Sequence, residues 1–287
     1  MINLIKIIIV RHCRDFPMLW RLIPSIQKSF KQKFSGKNIP KTVRTKHRFK
    51  MKINVGDFIG RHIYLFGDYE SSVSKLFLSI LEEGNNVIDI GANIGYYSLL
   101  SSSAVGENGK VFSFEASPLI YSKLQENIAL NNAENIYAKS AAVGDKKGEV
   151  ILFEADESHL GISSLRRLEG NNSREIHIEM ITLNSSLSQF PTINLIKVDV
   201  EGAEMKVFKG IESIINRDFP FLIFEVTDHM LNQLGSSKTE LLNWVREKGY
   251  DLYQIGDESL GSIHNEKRQF NALAVPKSKT DFATTYT

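Results

Sequence analysis

The stretch Val87-Ile88-Asp89-Ile90-Gly91-Ala92-Asn93-Ile94-Gly95, with Glu115 twenty residues further on, constrains this chain more than any other part of it. Residues 87 to 90 read as an apolar strand, Gly91 and Gly95 permit a tight turn, and Tyr96 to Leu100 can open a helix whose free N–H groups face that turn. A carboxylate or phosphate is welcome at such a helix start. A dinucleotide fingerprint would want a third glycine and an uncrowded pyrophosphate site. This turn has two glycines, and Asp89 would repel a pyrophosphate, so a dehydrogenase is a weak third choice.

S-adenosylmethionine suits these residues better. Its amino-acid end carries an ammonium, its sulfonium is positive and its ribose has two hydroxyls, so Asp89 complements its charge. Glu115 ends the next apolar run, Lys110-Val111-Phe112-Ser113-Phe114, where a carboxylate can accept both ribose hydroxyls. A second block, Ile193-Asn194-Leu195-Ile196-Lys197-Val198-Asp199-Val200-Glu201-Gly202-Ala203-Glu204, is an apolar strand running into three acids. Open α/β sheets place their chemistry at such strand ends.

Taken together and in this order, VIDIGANIGYYS and LIKVDVEGAEMKVFKG resemble the FkbM family of S-adenosylmethionine-dependent methyltransferases. The similarity runs from about Gly67 to Val275 and includes Gly67-Asp68-Tyr69-Glu70, Ala141 to Asp145 and Pro220 to Glu225. It implies an α/β, class I Rossmann-like fold: a mainly parallel seven-stranded sheet with helices on both faces. It implies that Asp89, Gly91, Asn93 and Gly95 line the methionine end, Glu115 the ribose, and Ala142 with Val143 the adenine. Glu70, Ala92 and Ala116, inside or beside these blocks, join the same cofactor set. The family methylates oxygen on sugars and secondary metabolites, so a hydroxyl of a sugar, glycan or small metabolite is the expected acceptor.

The residues agree with an oxygen acceptor. No Asp/Asn-Pro-Pro-aromatic clamp of the amino-group enzymes ends the second block, and the single cysteine, Cys13, lies far from both motifs. Asp199 is the first candidate to take the hydroxyl proton, with Glu201, Glu204 and Glu225 able to converge on the same crevice. The blander alternative is that Glu201 and Glu204 stabilise a helix dipole and that Lys197, on the same strand face, neutralises Asp199. A divalent ion could use the same acids, but no histidine accompanies them and no metal is assigned. His177 falls in an alternating strand and belongs on a polar sheet face. His229, four residues past Glu225, is a weaker candidate base.

Charge is segregated along the chain. Residues 1–61 hold 15 Lys/Arg against Asp15 and Asp57, and the rest holds 20 against 31 acids. Such a basic arm can meet phosphates, an anionic membrane or the domain's own acidic surface. Phe16, Leu19, Ile23, Ile26, Phe30 and Phe34 stripe one helical face, limited by Pro17 and Pro24, which suits either a membrane surface or packing on the domain. Ile7 to Val10 is too short to span a bilayer and no cleavage site follows it, so neither a secretory signal nor a transmembrane helix is expected. The lone cysteine excludes a disulfide framework and fits a reducing compartment. The expectation is therefore a cytoplasmic protein that can sit peripherally on a membrane, with no oligomeric state legible.

Three regions are expected: a basic N-terminal helical arm and connector at 1–57, a methyltransferase domain at 58–276, and a flexible tail at 277–287. An inserted hairpin at about 149–183 would use Leu160-Gly161-Ile162-Ser163-Ser164 as part of the acceptor wall. Helices are expected at Ser71 to Glu83, Pro118 to Asn131, Ala203 to Asn216 and Lys238 to Lys248. Strands are expected near Tyr137, Ile196, Leu222, Leu252 and Ala272. Two rivals remain: an RNA ribose or cap methyltransferase tracking phosphates with the arm, with nucleic acid the less favoured partner, and a non-catalytic module that keeps the cofactor pocket.

Overall fold

The computed structural model describes residues 23–155, 173–257, 259–264 and 267–284. The chain enters through α1 (Ile23–Phe34), a hairpin of β1 (Pro40–Arg44) and β2 (Lys50–Asn54), and two short helices, α2 (Phe58–Phe66) and α3 (Ser71–Ile80). The first βα units follow: β3 (Asn86–Ile90), α4 (Tyr96–Val105), β4 (Lys110–Glu115), α5 (Pro118–Leu130) and β5 (Ile136–Ser140). Ser117 caps α5 by accepting from the Ile120 amide, and Pro118 sits where a missing N–H costs nothing. A small sheet of β6 (Ala142–Val143), β7 (Gly148–Ala155) and β8 (Ser173–Ile181) interrupts the alternation.

It then resumes with β9 (Leu195–Val198), α6 (Glu204–Gly210), α7 (Glu212–Asp218), β10 (Phe221–Thr227), α8 (Asp228–Gln233) and α9 (Lys238–Glu247). The chain closes through β11 (Tyr250–Ile255), β12 (Leu260–Gly261), β13 (Gln269–Pro276) and α10 (Asp281–Thr284).

The main sheet runs β12-β11-β13-β10-β9-β3-β4-β5. Strands β5, β4, β3, β9 and β10 are mutually parallel, and β13 is antiparallel between β10 and β11. This is the expected seven-stranded, doubly wound sheet with one addition, the two-residue edge strand β12. Neighbouring residues on one strand feed opposite cores: Val87, Leu195 and Ile223 pack with the helices of the first half, and Ile88, Ile196 and Leu222 with α6, α7 and α9. Burial on both faces explains why these strands read as continuous apolar runs. The strand order reverses between β3 and β9, where ligands bind in such sheets.

Several expectations change in detail. The helix expected over Ala203 to Asn216 is two helices, broken at Gly210, where a Cβ would stand 2.0 Å from the Gly144 carbonyl oxygen. The inserted hairpin is present as β7 and β8, with β6 as an added third strand, while Leu160 to Ser164 lie outside the described residues.

The packed core reaches back before Phe58. Met51 and Ile53 alternate with exposed lysines on β2 and are buried in the same core as Val87 and Leu99. Asn127 on α5 clasps the β2 backbone, accepting from the Lys52 amide at 2.7 Å and donating to the Lys52 carbonyl at 3.2 Å. The apolar stripe of α1 is likewise used inside the molecule: Ile26 and Phe30 pack on Leu65, which leaves Lys28, Lys31 and Lys33 exposed, Lys31 at the rim of the cavity described below. Phe16, Leu19 and Cys13 lie outside the described residues. Part of the arm's charge meets the domain's own acids, in Lys46–Asp68 and Lys52–Glu126 at 3.2 Å each. The polar segment from Lys277 docks through residue 284, with the Phe282 ring 5.0 Å from that of Phe221. Among the described residues no helix is long and apolar enough to cross a membrane.

Candidate active site

A cavity of about 650 Å³ opens at the carboxyl ends of β3, β4, β9 and β10, roofed by α1 and α2. Its floor is the turn after β3. Gly91 has φ +81°, and a Cβ there would stand 1.8 Å from the Asp199 carbonyl oxygen, so only glycine fits between the two central strands. The Gly91 and Ala92 amides both donate to the Phe114 carbonyl, which ties the turn to β4. Gly95, with φ +90°, sits at the start of α4 against Leu124, outside the cavity lining. Asn93 (φ +50°), Glu70 (φ +45°) and Glu201 (φ +52°) all line the cavity in the left-handed region, a strain that gathers at functional sites.

Glu115 occupies the position expected of a ribose acceptor. Its Oε2 accepts from the Asn93 amide at 2.8 Å and its Oε1 from the Ser117 amide at 2.9 Å, which fixes the carboxylate against the cavity. Burial pushes its pKa up to about 7. Beside it Ala116, Ala142, Val143 and Leu152 make an apolar patch suited to a flat base. These residues fit S-adenosylmethionine: a diol acceptor, an apolar base wall, a glycine turn and, at the far end, carboxylates for a cation.

That far end holds Glu70, Asp199, Glu201 and Glu225. Lys197 is buried beneath them, donating to Asp199 Oδ2 at 2.8 Å with its Nζ 4.6 Å from the centre of the Tyr97 ring. Burial opposes its charge, but Asp199, Asp89 and Glu70 outweigh burial and raise its pKa. The neutralising role foreseen for Lys197 is thus part of a larger network. Tyr97 donates to Glu70 Oε2 and Asn271 to Glu70 Oε1, each at 2.9 Å. Gln269 holds Glu225 at 2.8 Å. Among the described residues Glu201 receives no hydrogen bond, and burial, then the charges of Asp199, Glu225 and Glu204, push its pKa up to about 8.

Besides Gly95, two more of the expected site residues stand outside the cavity lining. Asp89 is 1% exposed and points behind the cradle, accepting from Ser98 on α4 at 2.6 Å; it does not line the cavity. Its position inside β3 turns it under the sheet end, where it supports Lys197 by charge. Glu204 is also 1% exposed and accepts from the Gly202 amide at 3.2 Å, bracing the Glu201–Gly202 turn instead of facing ligand. Glu204 does open α6, where the dipole alternative put it, but its carboxylate is engaged by the Val200 and Gly202 amides of the turn. His229 is exposed and outside the cavity, and His177 lies on an exposed sheet face beside Glu149. Tyr69, Tyr97, Gln269 and Asn271 were not legible as site residues: they come from loop, helix and final strand, and although Tyr69 and Tyr97 fall inside recognised blocks, Gln269 and Asn271 fall in none. Among the described residues no group of three His, Cys, Asp or Glu is arranged to hold a metal ion.

Comparison with known proteins places this architecture. Residues 89–252 match the methyltransferase FkbM domain model. Methyltransferase 1 of Beauveria bassiana is 23% identical over 179 residues, 54% of this chain and 67% of that protein. Hexuronic acid methyltransferase AglP of Haloferax volcanii is 28% identical over 164 residues, 55% of this chain and 62% of that protein. The crystal structure of methyltransferase FkbM from Methylobacillus flagellatus aligns with a TM-score of 0.45 at 13% identity, covering 92% of this chain and 60% of that one. On the span and position of the domain match, the chain belongs to the FkbM family and carries its S-adenosylmethionine-dependent methyltransferase domain.

Proposed function

We propose that the protein transfers a methyl group from S-adenosylmethionine to a hydroxyl of a sugar, glycan or small metabolite. The observation that carries this reading is that one cavity joins the Gly91–Asn93 turn and Glu115 to the acids Asp199, Glu201 and Glu225. The cofactor supplies an electrophilic methyl on a positively charged sulfur. Glu115 would hold the ribose, Ala142, Val143 and Leu152 the base, and Glu70 with Asp199 the cationic end.

The chain's own task is to orient the acceptor oxygen, exclude water and take its proton. Glu201 is the group we assign to the proton. It faces the cavity with no hydrogen-bond partner among the described residues, and its pKa of about 8 lies near neutrality, where a general base is most effective. Positive charge in the cavity offsets the neighbouring carboxylates and draws Glu201 toward its ionised, accepting form. Asp199, tied to Lys197, positions that acid end. The relative named as a hexuronic acid methyltransferase supports a sugar acceptor. Pairing of the arm's lysines with Asp68 and Glu126 favours this reading over an RNA substrate.

The test is incubation with methyl-labelled S-adenosylmethionine and a panel of glycosides, with products mapped by mass spectrometry. A methyl ether is expected, lost in Glu201→Gln while cofactor binding persists. Label on nitrogen or carbon acceptors alone would contradict the proposal.

A further inference from the structure

The cavity extends past the cofactor-shaped end to a wall of different chemistry. Phe58, Ile59 and Arg61 on α2 and Lys31 on α1 line it. Phe58 is 65% exposed, and among the exposed large apolar side chains Phe58 alone lines the cavity. Arg61 lies three residues further along α2, on the same side. Among the described residues the only hydrogen bond of its side chain is Nη1 to the Gly56 carbonyl at 3.1 Å, and the Lys31 side chain makes none. The wall's one acid, Asp57, is committed to the Gly60 amide at 2.5 Å, where it caps α2.

This wall adjoins the reacting end. The Phe58 ring is 6.2 Å from that of His62, which meets Tyr69 edge-on at 5.8 Å. Burial and then the charges of Glu70, Asp199, Glu225 and Glu201 raise the Tyr69 pKa, so Tyr69 stands between α2 and the acids.

Charge divides the cavity accordingly. The carboxylates complement a ligand with a positive sulfur, and the third lining cation, Lys197, is already spent on Asp199. Asp57 acts on Arg61 through its charge but forms no ion pair with it among the described residues, so Lys31 and Arg61 are the lining cations whose side chains stay open to a ligand. An exposed aromatic ring offers its face to the C–H side of a sugar, and a guanidinium with free donors pairs in a fork with carboxylate or phosphate.

We propose that this wall is an acceptor subsite for an anionic sugar, with Phe58 as the ring platform and Arg61 and Lys31 as the seat of its carboxylate or phosphate. The assignment rests on the methyl-transfer reading of the same cavity. Within it, acceptors are selected by charge as well as by hydroxyl position.

The purified protein, saturated with S-adenosylhomocysteine, is titrated calorimetrically with methyl glucuronide, glucose 6-phosphate and neutral methyl glucoside. The uronate or the sugar phosphate is expected to bind at least about tenfold tighter than the neutral sugar, the better of the two identifying the anion. Arg61→Gln with Lys31→Gln should erase that preference while the S-adenosylhomocysteine affinity and the circular dichroism stay as in wild type. No preference in the wild-type protein, or a preference surviving both substitutions, overturns the proposal. A tenfold loss of S-adenosylhomocysteine affinity in the variants also overturns it, by assigning these cations to the cofactor's own carboxylate. Failure of the wild-type protein to bind S-adenosylhomocysteine at all would instead strike the underlying methyltransferase reading.

Discussion

Replacing Glu115 by alanine removes the one carboxylate positioned for a ribose, and the structure sets how much that should cost. Two of its acceptor sites are occupied by the Asn93 and Ser117 amides, at 2.8 and 2.9 Å, leaving lone pairs on each oxygen for a diol. Two charge-assisted hydrogen bonds of about 1.5 kcal/mol each amount to roughly a hundredfold in Kd. The titration belongs at about pH 8.5, above the Glu115 pKa of about 7, because a protonated carboxyl accepts less well. Alanine also frees two backbone amides and loosens the Asn93 turn, which would weaken binding without any ribose contact. A double-mutant cycle separates the two effects. S-adenosylhomocysteine lacking its ribose 2′-hydroxyl should bind wild type about tenfold more weakly than the parent ligand, and Glu115→Ala nearly as well as the parent ligand. If the deoxy ligand loses the same factor in both proteins, Glu115 does not hold the ribose.

Three other outcomes follow from the same geometry. Glu115, Glu201 and Glu204 have pKa values raised from 4.5 to about 7, 8 and 7, so the folded state holds protons that the unfolded chain has released between about pH 4.5 and 8. Their contribution to stability is therefore complete below about pH 4.5 and lost as pH rises through about 7 to 8. Between pH 6 and 8.5 the ligand-free Tm should fall, with S-adenosylmethionine restoring more of it at the higher pH; a ligand-free Tm rising over this interval would show that other groups dominate. Asn127→Ala leaves the Lys52 and Ile94 backbone groups unpaired and should cost about 3 kcal/mol by chemical denaturation, a loss under about 1 kcal/mol meaning that β2 is held mainly by its apolar contacts. Gly91→Ala forces a left-handed backbone and a 1.8 Å approach to the Asp199 carbonyl, so it should abolish cofactor binding; binding within threefold of wild type would mean the turn can open without loss.

The sheet was legible because its strands are buried on both faces and read as unbroken apolar runs, and because the glycine turn is local. Residues 87–95 carry their geometry in their own sequence. Asp89 shows where that legibility stops: its identity and spacing matched a ligand contact, yet the pleat of β3 turns it toward Ser98 and away from the cavity. Glu204 is similar, since an acid two residues past Gly202 reads equally well as catalyst or as helix-dipole charge, and its place against the Gly202 amide comes only with the fold. The burial of β2 was not legible because six basic residues over Lys41 to Lys52 concealed the alternation of Met51 and Ile53. Long-range partners escaped altogether. Asn271 reaches Glu70 across 201 residues of sequence, and nothing local to either residue announces the contact.

The central claim, that the glycine turn and its acid-lined cavity take S-adenosylmethionine, is tested most directly by titrating the purified protein with that compound and, in parallel, with NAD. Binding of S-adenosylmethionine, competed by S-adenosylhomocysteine, with no heat from NAD is the predicted result. No binding of S-adenosylmethionine by the folded protein, or binding of NAD in its place, would contradict the account.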